Sequence, residues 1–482
     1  GCRRTGRRGA AMAVPENAHA VHVEVEGLAP GREYWYRFMA GNEVSPEART
    51  RTAPAPGKGD DRLRVALASC QQYEQGYYVA HRHLAAEDVD LVAFVGDYIY
   101  ESSWGQNHVR KHPDPEPRTL ADYRNRYALY KGDADLQKSH AAAPWIVTWD
   151  DHETTNDAWS GGAENHNAGE GDWAVRRAAA LQAYAEWMPV RVEPGQPVYR
   201  RLRFGQLAEL SMLDLRSYRS QQVATTDLGS VDDPGRTITG AEQMTWLKDG
   251  LLVPDAQWKL VGNPVMIAPV VFPPLPNEAS RPVADVTGVL PPDGVPYNTD
   301  QWDGYTDDPR ELFAHLADNG VQDTVFLTGD IHTTWANDLP LDAGTYPVSR
   351  SVGVELVGTS VTSDNVDDIL GGPPRTASIA VEEAIKADNR HVRHVELDSP
   401  GYSVLDVTPE RVQMDWFYLS DRTRRDATAS LAASYAVPAG TQRVVKALTL
   451  SGVDNVLSAP RIYAVRSSMP TTGLLMIIST ES

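Results

Sequence analysis

Four short apolar runs in this chain each end in residues that bind metals. Residues 92–95 lead into Gly96, Asp97, Tyr98, Ile99, Tyr100 and Glu101, and residues 146–149 into Asp150, Asp151, His152 and Glu153. Residues 65–69 end in Cys70, and residues 324–328 in Gly329, Asp330, Ile331 and His332. A buried strand delivers the side chains after its C-terminal end to the crevice beyond the sheet, so four such ends can meet in one small volume. The expected chemistry is that of a polynuclear metal site.

The donor types narrow it. A phenol titrates at about 10 in water, so Tyr100 becomes a ligand at neutral pH only beside a strong Lewis acid such as trivalent iron. Taken alone, a Gly-Asp-x-x-Tyr turn is equally a packed aromatic beside a turn carboxylate; Cys70 and two further clusters weigh against that. A cysteine phosphatase would need an arginine where this chain has Gly76. A thiolate on iron fits Cys70 better, with an inert buried thiol as the plain alternative. Asp150, Asp151, His152 and Glu153 with Asn156 crowd oxygen donors into one turn, which suits hard cations such as calcium or magnesium more than zinc. His152 beside them could donate a proton to a leaving oxygen. Asp330 and His332, two apart at a strand end, point the same way. Arg216 and Arg219 follow the apolar run 207–213, and a guanidinium fork matches phosphate oxygens. Either is by default a surface ion-pair partner; Arg216, nearer the strand end, is the better candidate. His81, His83, His108, His140 and His394 have no comparable context and read as structural.

The whole chain bounds what these clusters serve. At 482 residues it exceeds what one core normally supports, so a main domain with an appendage is expected. No apolar run approaches a membrane span; residues 474–478 are only a short stretch. A formal charge of −20 argues against stable binding to nucleic acid or anionic lipid surfaces. An anionic substrate would need multivalent cations to reverse the local field. Two cysteines make no disulfide framework. Residues 1–13, with Arg3, Arg4, Arg7 and Arg8 but no apolar segment of a signal peptide, read as a disordered start-site remnant.

The elements that would position the clusters follow from periodicity. Val21, Val23 and Val25 alternate with polar residues, and a Leu-x-Pro-Gly-x-x-Tyr run ending at Tyr34 resembles a fibronectin-type corner closed by a tyrosine. Residues 14–56 are therefore a partial β-sandwich, ended by a Pro- and Gly-rich linker. Residues 57–425 alternate strands with helices and form an α/β catalytic domain. Within it, Asp172 caps a helix through Val175, Ala178, Leu181, Tyr184 and Met188, stopped by Pro189, and Trp173 and Trp187 pack as core. Residues 225–236 and 273–306 read as long loops, and 401–418 as a hairpin turning at Pro409 and Glu410. Residues 426–482 are assigned a lid helix and a poorly ordered tail.

Taken in order, Ser69-Cys70-Gln71, residues 96–101, residues 149–153 with Asn156, residues 214–219 and residues 329–333 resemble the motif set of the PhoD-like alkaline phosphatases and phosphodiesterases. The resemblance covers roughly residues 20–440. It implies a four-layer αββα metallophosphoesterase sandwich behind a small N-terminal β-sandwich, iron with two calcium ions, and export by the twin-arginine route. Cys70, Asp97 and Tyr100 would bind Fe3+. Asp97, Asp151, Asn156 and Asp330 would hold Ca2+, with Asp150 and His332 touching the metals or one contact removed. Which of Asp150 and Asp151 is the ligand is left open. Arg216 would hold the phosphate and His152 would be the acid.

The expected function is hydrolysis of phosphate esters by a metal-activated water in a secreted or periplasmic monomer. Its substrates would be small phosphate esters, with phospholipids as a second class. The rival within hydrolases is a phospholipase D-type phosphodiesterase. A rival of another class is a non-catalytic, calcium-stabilised surface protein, which leaves Cys70, Tyr100 and Arg216 without a purpose.

Overall fold

Strand Leu63–Ala68 sends Val65 and Leu67 to one face and Ala66 and Ala68 to the other, and all four are buried. Leu91–Val95 divides in the same way, with Ala93 and Val95 opposite Val92 and Phe94. A strand covered on both faces has no solvent side, which is why these runs are continuously apolar rather than alternating. In the computed structural model, which describes residues 4–58, 61–106, 108–192, 196–224, 227–253, 255–271, 298–447 and 474–480, the two strands are parallel to each other and to Trp145–Thr148. Four antiparallel strands, Gly401–Val407, Arg411–Leu419, Ala429–Pro438 and Val445–Lys446, complete a seven-stranded sheet.

A second seven-stranded sheet places Ser351–Val357, Thr324–Thr328, Trp258–Asn263 and Ala208–Met212 parallel at its centre. Its edges are Thr334–Pro340 with Val392–Glu396 on one side and Arg200–Phe204 on the other. The two sheets share one apolar layer in which Val65, Leu67, Ala93 and Val95 meet Leu210, Met212, Leu260 and Leu327. Outside the first sheet, helices Leu120–Lys131 and Trp173–Trp187 bury Tyr123, Tyr127, Tyr130, Ala180 and Tyr184. Outside the second, helices Ala241–Leu251 and Asp307–Asp318 bury Met244, Leu247, Leu312 and Leu316.

Several local expectations meet their elements. Asp172 caps its helix by accepting from the Val175 backbone N–H at 3.1 Å, and the hairpin turns between Val407 and Arg411. The helix's buried face differs from the expected one: Val175 is 67 % exposed, while Arg176 is buried against Glu116, Glu170 and Tyr123. An ion pair with geometry this complete places arginine inside where periodicity predicts valine. Of the loop expected over 225–236, residues 228–232 form a 3-10 turn; most of the 273–306 loop lies outside the described residues.

The termini correct three expectations. Arg4–Ala11 is a strand, paired antiparallel with Leu474–Thr480, where a disordered start was expected. Leu474–Thr480 also pairs with Glu33–Ala40, so a strand from the far end of the chain fills the place beside it, and no strand forms over Val21 to Val25. With Glu43–Val44 and Ala48–Arg51 these make one five-stranded sheet, in which the Tyr34 hydroxyl accepts from the Ala29 N–H at 2.7 Å and closes the expected corner. The lid helix expected after residue 425 is instead the strand Ala429–Pro438, whose β-sheet partners lie on both sides. The tail at 448–473 lies outside the described residues.

His394, on an edge strand, stacks on Tyr435 with ring centroids 5.0 Å apart and leaves Nε2 buried without a partner among the described residues. Burial, with Lys386, Lys446 and Arg375 adding, lowers it from 6.5 to about 4. The unfolded chain takes up this proton near 6.5 and the folded one does not until about 4, so His394 lowers stability as pH falls through that window. His394→Phe keeps the stack and removes the proton. Its urea midpoint should fall less than that of the parent between pH 6.5 and pH 4, and an identical slope would rule the histidine out.

Candidate metal centre

The four strand ends do meet. Cys70 N–H donates to Gly96 O at 3.2 Å and Gln71 N–H to Asp97 O at 3.1 Å, which ties the first two ends together. Cys70, Asp97, Asp330 and His332 all take left-handed backbone conformations, with φ of 57°, 59°, 64° and 57°. Non-glycine residues held there are strained, and such strain gathers where surrounding structure dictates side-chain aim. Gly96, at φ 118°, is a glycine for a second reason, since a Cβ on it would lie 2.5 Å from Asp150 Cβ.

Three overlapping donor sets result. One atom each of Cys70, Asp97 and His332 lie within 4.8 Å of one another, as do atoms of Asp97, Asp151 and His152, and of Asp97, Asp150, Asp151 and Asp330. Asp97 belongs to all three. Its Oδ1 is buried with no hydrogen-bond partner among the described residues, and Oδ2 accepts from the Tyr100 hydroxyl at 2.9 Å. Tyr100 also lies 3.2 Å from His332 Nε2 and accepts from Ser363 Oγ at 2.8 Å. An orphaned carboxylate oxygen shared between donor sets fits bound cations.

The electrostatics agree. Burial, then Asp97, pushes the Cys70 thiol well up, and burial followed by Asp97 and Cys70 does the same to the Tyr100 phenol. Asp97 is raised by burial and by Asp151, Asp150 and Glu153 against the pull of His152, and Asp330 by burial, Asp150 and Asp300. Burial and mutual repulsion disfavour the ionised forms of these groups, and a bound Lewis acid would favour them as ligands. Burial lowers His332 to about 4, so its imidazole is neutral near pH 7 and offers a lone pair, while Nδ1 lies 2.9 Å from Asp364 O.

His152 behaves in the opposite way. Burial would lower it, but Glu101, Asp151 and Asp97 outweigh that and raise it well above 6.5. Its Nδ1 lies 2.7 Å from Glu101 Oε2 and its ring stacks on Tyr100 with centroids 4.1 Å apart. The surrounding carboxylates thus favour the imidazolium form.

Arg216, Asn156 and the Asp150–Asp151 pair have defined partners. Arg216 is buried, with Nε and Nη2 on Asp150 at 2.5 and 3.0 Å and Nη1 and Nη2 on Asp300 at 2.7 and 2.9 Å. It is a bridge between carboxylates, not a loose surface fork. Asn156 donates its side-chain amide to Glu164 at 2.5 Å and its backbone N–H to Glu101 at 2.9 Å. Asp150 faces Arg216 while Asp151 accepts from the His152 and Asp157 N–H groups at 3.0 and 2.6 Å.

Other residues of the centre had weaker signals or none. Glu101 and Glu153 lie inside the motifs. Glu153 accepts from the backbone N–H of Asp97, Tyr98 and Asp150 at 3.2, 2.6 and 2.8 Å, clamping two strand ends together. Asp300 and Gln301, whose Nε2 donates to Asp330 Oδ2 at 2.5 Å, come from an aperiodic stretch that no pattern singles out. Arg219 is buried on Asp300 rather than at the surface.

A family model described as PhoD-like phosphatase matches residues 65–416, and one described as its N-terminal domain matches residues 1–54. The chain belongs to the PhoD-like phosphatase family. It is 37 % identical over 449 residues to alkaline phosphatase D of Bacillus subtilis (strain 168), covering 90 % of this chain and 72 % of that one. The solved structure of PhoD is similar at a TM-score of 0.80 and 35 % identity, over 93 % of this chain and 83 % of that one. A looser likeness, at a TM-score of 0.45 and 13 % identity over 83 % of this chain and 60 % of the other, reaches purple acid phosphatase PPD1 of yellow lupin.

In this PhoD-like centre Glu153→Ala would strand three backbone donors. At about 1–3 kcal/mol for each buried unsatisfied group, denaturation should show a loss of at least about 3 kcal/mol, together with lower metal content by elemental analysis. Full stability would show that Glu153 is not the clamp.

Proposed function

We propose that this protein is a metal-dependent phosphoric ester hydrolase that transfers the phosphoryl group directly to water. The observation that carries the reading is the meeting of Asp97, Asp150, Asp151 and Asp330 at one point in a chain of the PhoD-like family. The mixed sulfur, phenol and imidazole donors of Cys70, Tyr100 and His332 favour Fe3+ beside Asp97, and the all-carboxylate set favours Ca2+. When bound, such cations supply an acidified water and neutralise charge on the phosphoryl oxygens.

The chain's own groups do the rest. His152, held charged by Glu101, keeps a proton available for the leaving oxygen. Arg216 sits among the carboxylates, offsets their charge and would meet the ester there. Trp104 lies over His332 with ring centroids 5.8 Å apart and covers that side of the centre. Two stacked sheets with helices outside are read as the four-layer αββα arrangement, and the N-terminal sheet as a reduced β-sandwich. Among the described residues no helix is long and apolar enough to cross a membrane. Export as a monomer belongs to the same reading.

The enzyme should hydrolyse a nitrophenyl phosphate monoester. Comparing it with the diester and with phosphatidylcholine decides between a monoesterase and a phospholipase D-type enzyme. Chelation should abolish turnover, and a ferric phenolate at Tyr100 should colour the pure protein. A colourless, iron-free and fully active preparation would sink the iron assignment; inactivity on all three esters with metals present would sink the hydrolase.

A further inference from the structure

Asp300 makes more contacts at the centre than any expected role explains. Its two oxygens take the Arg216 fork edge-on, and Oδ1 also accepts from Arg219 Nη2 at 2.7 Å. Arg219 donates again to the Asp300 carbonyl at 2.9 Å, and its Nε donates to the Tyr305 hydroxyl, also at 2.9 Å. The backbone on either side is pinned. Asp300 N–H donates to Asn298 Oδ1 at 3.1 Å, Thr299 Oγ1 donates to Val223 O at 2.8 Å, and Gln301 holds Asp330. Just beyond, a Cβ on Gly304 would lie 1.9 Å from Thr299 O, so the segment is folded tightly on itself. The carboxylate cannot follow a moving partner; it dictates where the partner lies.

We propose that Asp300 is a positioning residue for Arg216, fixing the plane in which that guanidinium meets the ester. The proposal rests on the hydrolase reading above. Asp150 holds the Nε–Nη2 edge and Asp300 the adjoining Nη1–Nη2 edge, and a planar fork held on two edges, one of them by an immobile carboxylate, has one orientation. A small loss of alignment at a reacting group costs rate far more than it costs ground-state contact. Arg219 and Tyr305 serve Asp300 and do not replace it.

The test is a double-mutant cycle on the metal-loaded enzyme with nitrophenyl phosphate. D300N should lower kcat/KM by about 100-fold, mostly in kcat, with metal content unchanged. R216A should be impaired, and R216A/D300N should be no worse than R216A, because a residue that acts through another has nothing left to act on. Effects that multiply, a D300N enzyme within twofold of the parent, or loss of metal along with rate would each overturn the positioning role. An R216A enzyme as active as the parent is a different result, since it removes Arg216 from the mechanism itself. Should D300N not fold, as judged by circular dichroism, R219Q takes its place in the same cycle. It withdraws the second cation from Asp300, and an effect independent of R216A overturns the proposal equally.

Discussion

The structure is organised around a repulsion. Asp97, Asp150, Asp151 and Asp330 bring carboxylate oxygens within 4.8 Å of one another in a buried crevice. Two like charges ~4 Å apart repel by about 4 kcal/mol at an effective dielectric constant of about 20, more than burying one aliphatic side chain contributes. Packing alone does not hold such a cluster together. Protein groups meet part of the demand, with Arg216 between Asp150 and Asp300 and His152 between Glu101 and the shared carboxylates. Bound cations would meet the remainder, and Asp97, common to all three donor sets and with one oxygen left without a partner among the described residues, is where they would be shared.

The two sheets exist in the form they do because this cluster needs rigid delivery. The donors Cys70, Asp97, Asp150, Asp151 and Asp330 each follow a parallel strand buried on both faces, so their backbone is set by the packed layers and not by the crevice they line. Past the strand ends the chain turns through left-handed conformations that only tight local hydrogen bonding sustains. Glu153 supplies that bonding for two ends at once, and Cys70 N–H to Gly96 O supplies it between neighbours. Strain in the loops is thus balanced by a core that never sees the chemistry.

Much of this was readable from residue order. The runs before Cys70, Asp97, Asp150 and Asp330 announced strands by their length and apolarity, and the donors at their ends announced a centre. Asp172 announced a helix start. Reading failed where the partner was remote. Val175 fitted the helical period but Arg176 is inside, because Glu116 and Glu170 await it. Arg4–Ala11 offered no apolar pattern, yet it pairs with a strand from the other terminus.

Strand period, donor type and motif order are local properties, written in neighbouring residues, and they determined the fold class, the family and most of the centre. The grip of Asp300 on Arg216, the clamp of Glu153 and the C-terminal strand in the N-terminal sheet were decided only by the tertiary structure. Each joins groups far apart in the chain or depends on a side chain whose direction the backbone sets. Hydrogen bonds and ion pairs act over a few ångströms of space, and distance along a chain carries no record of them.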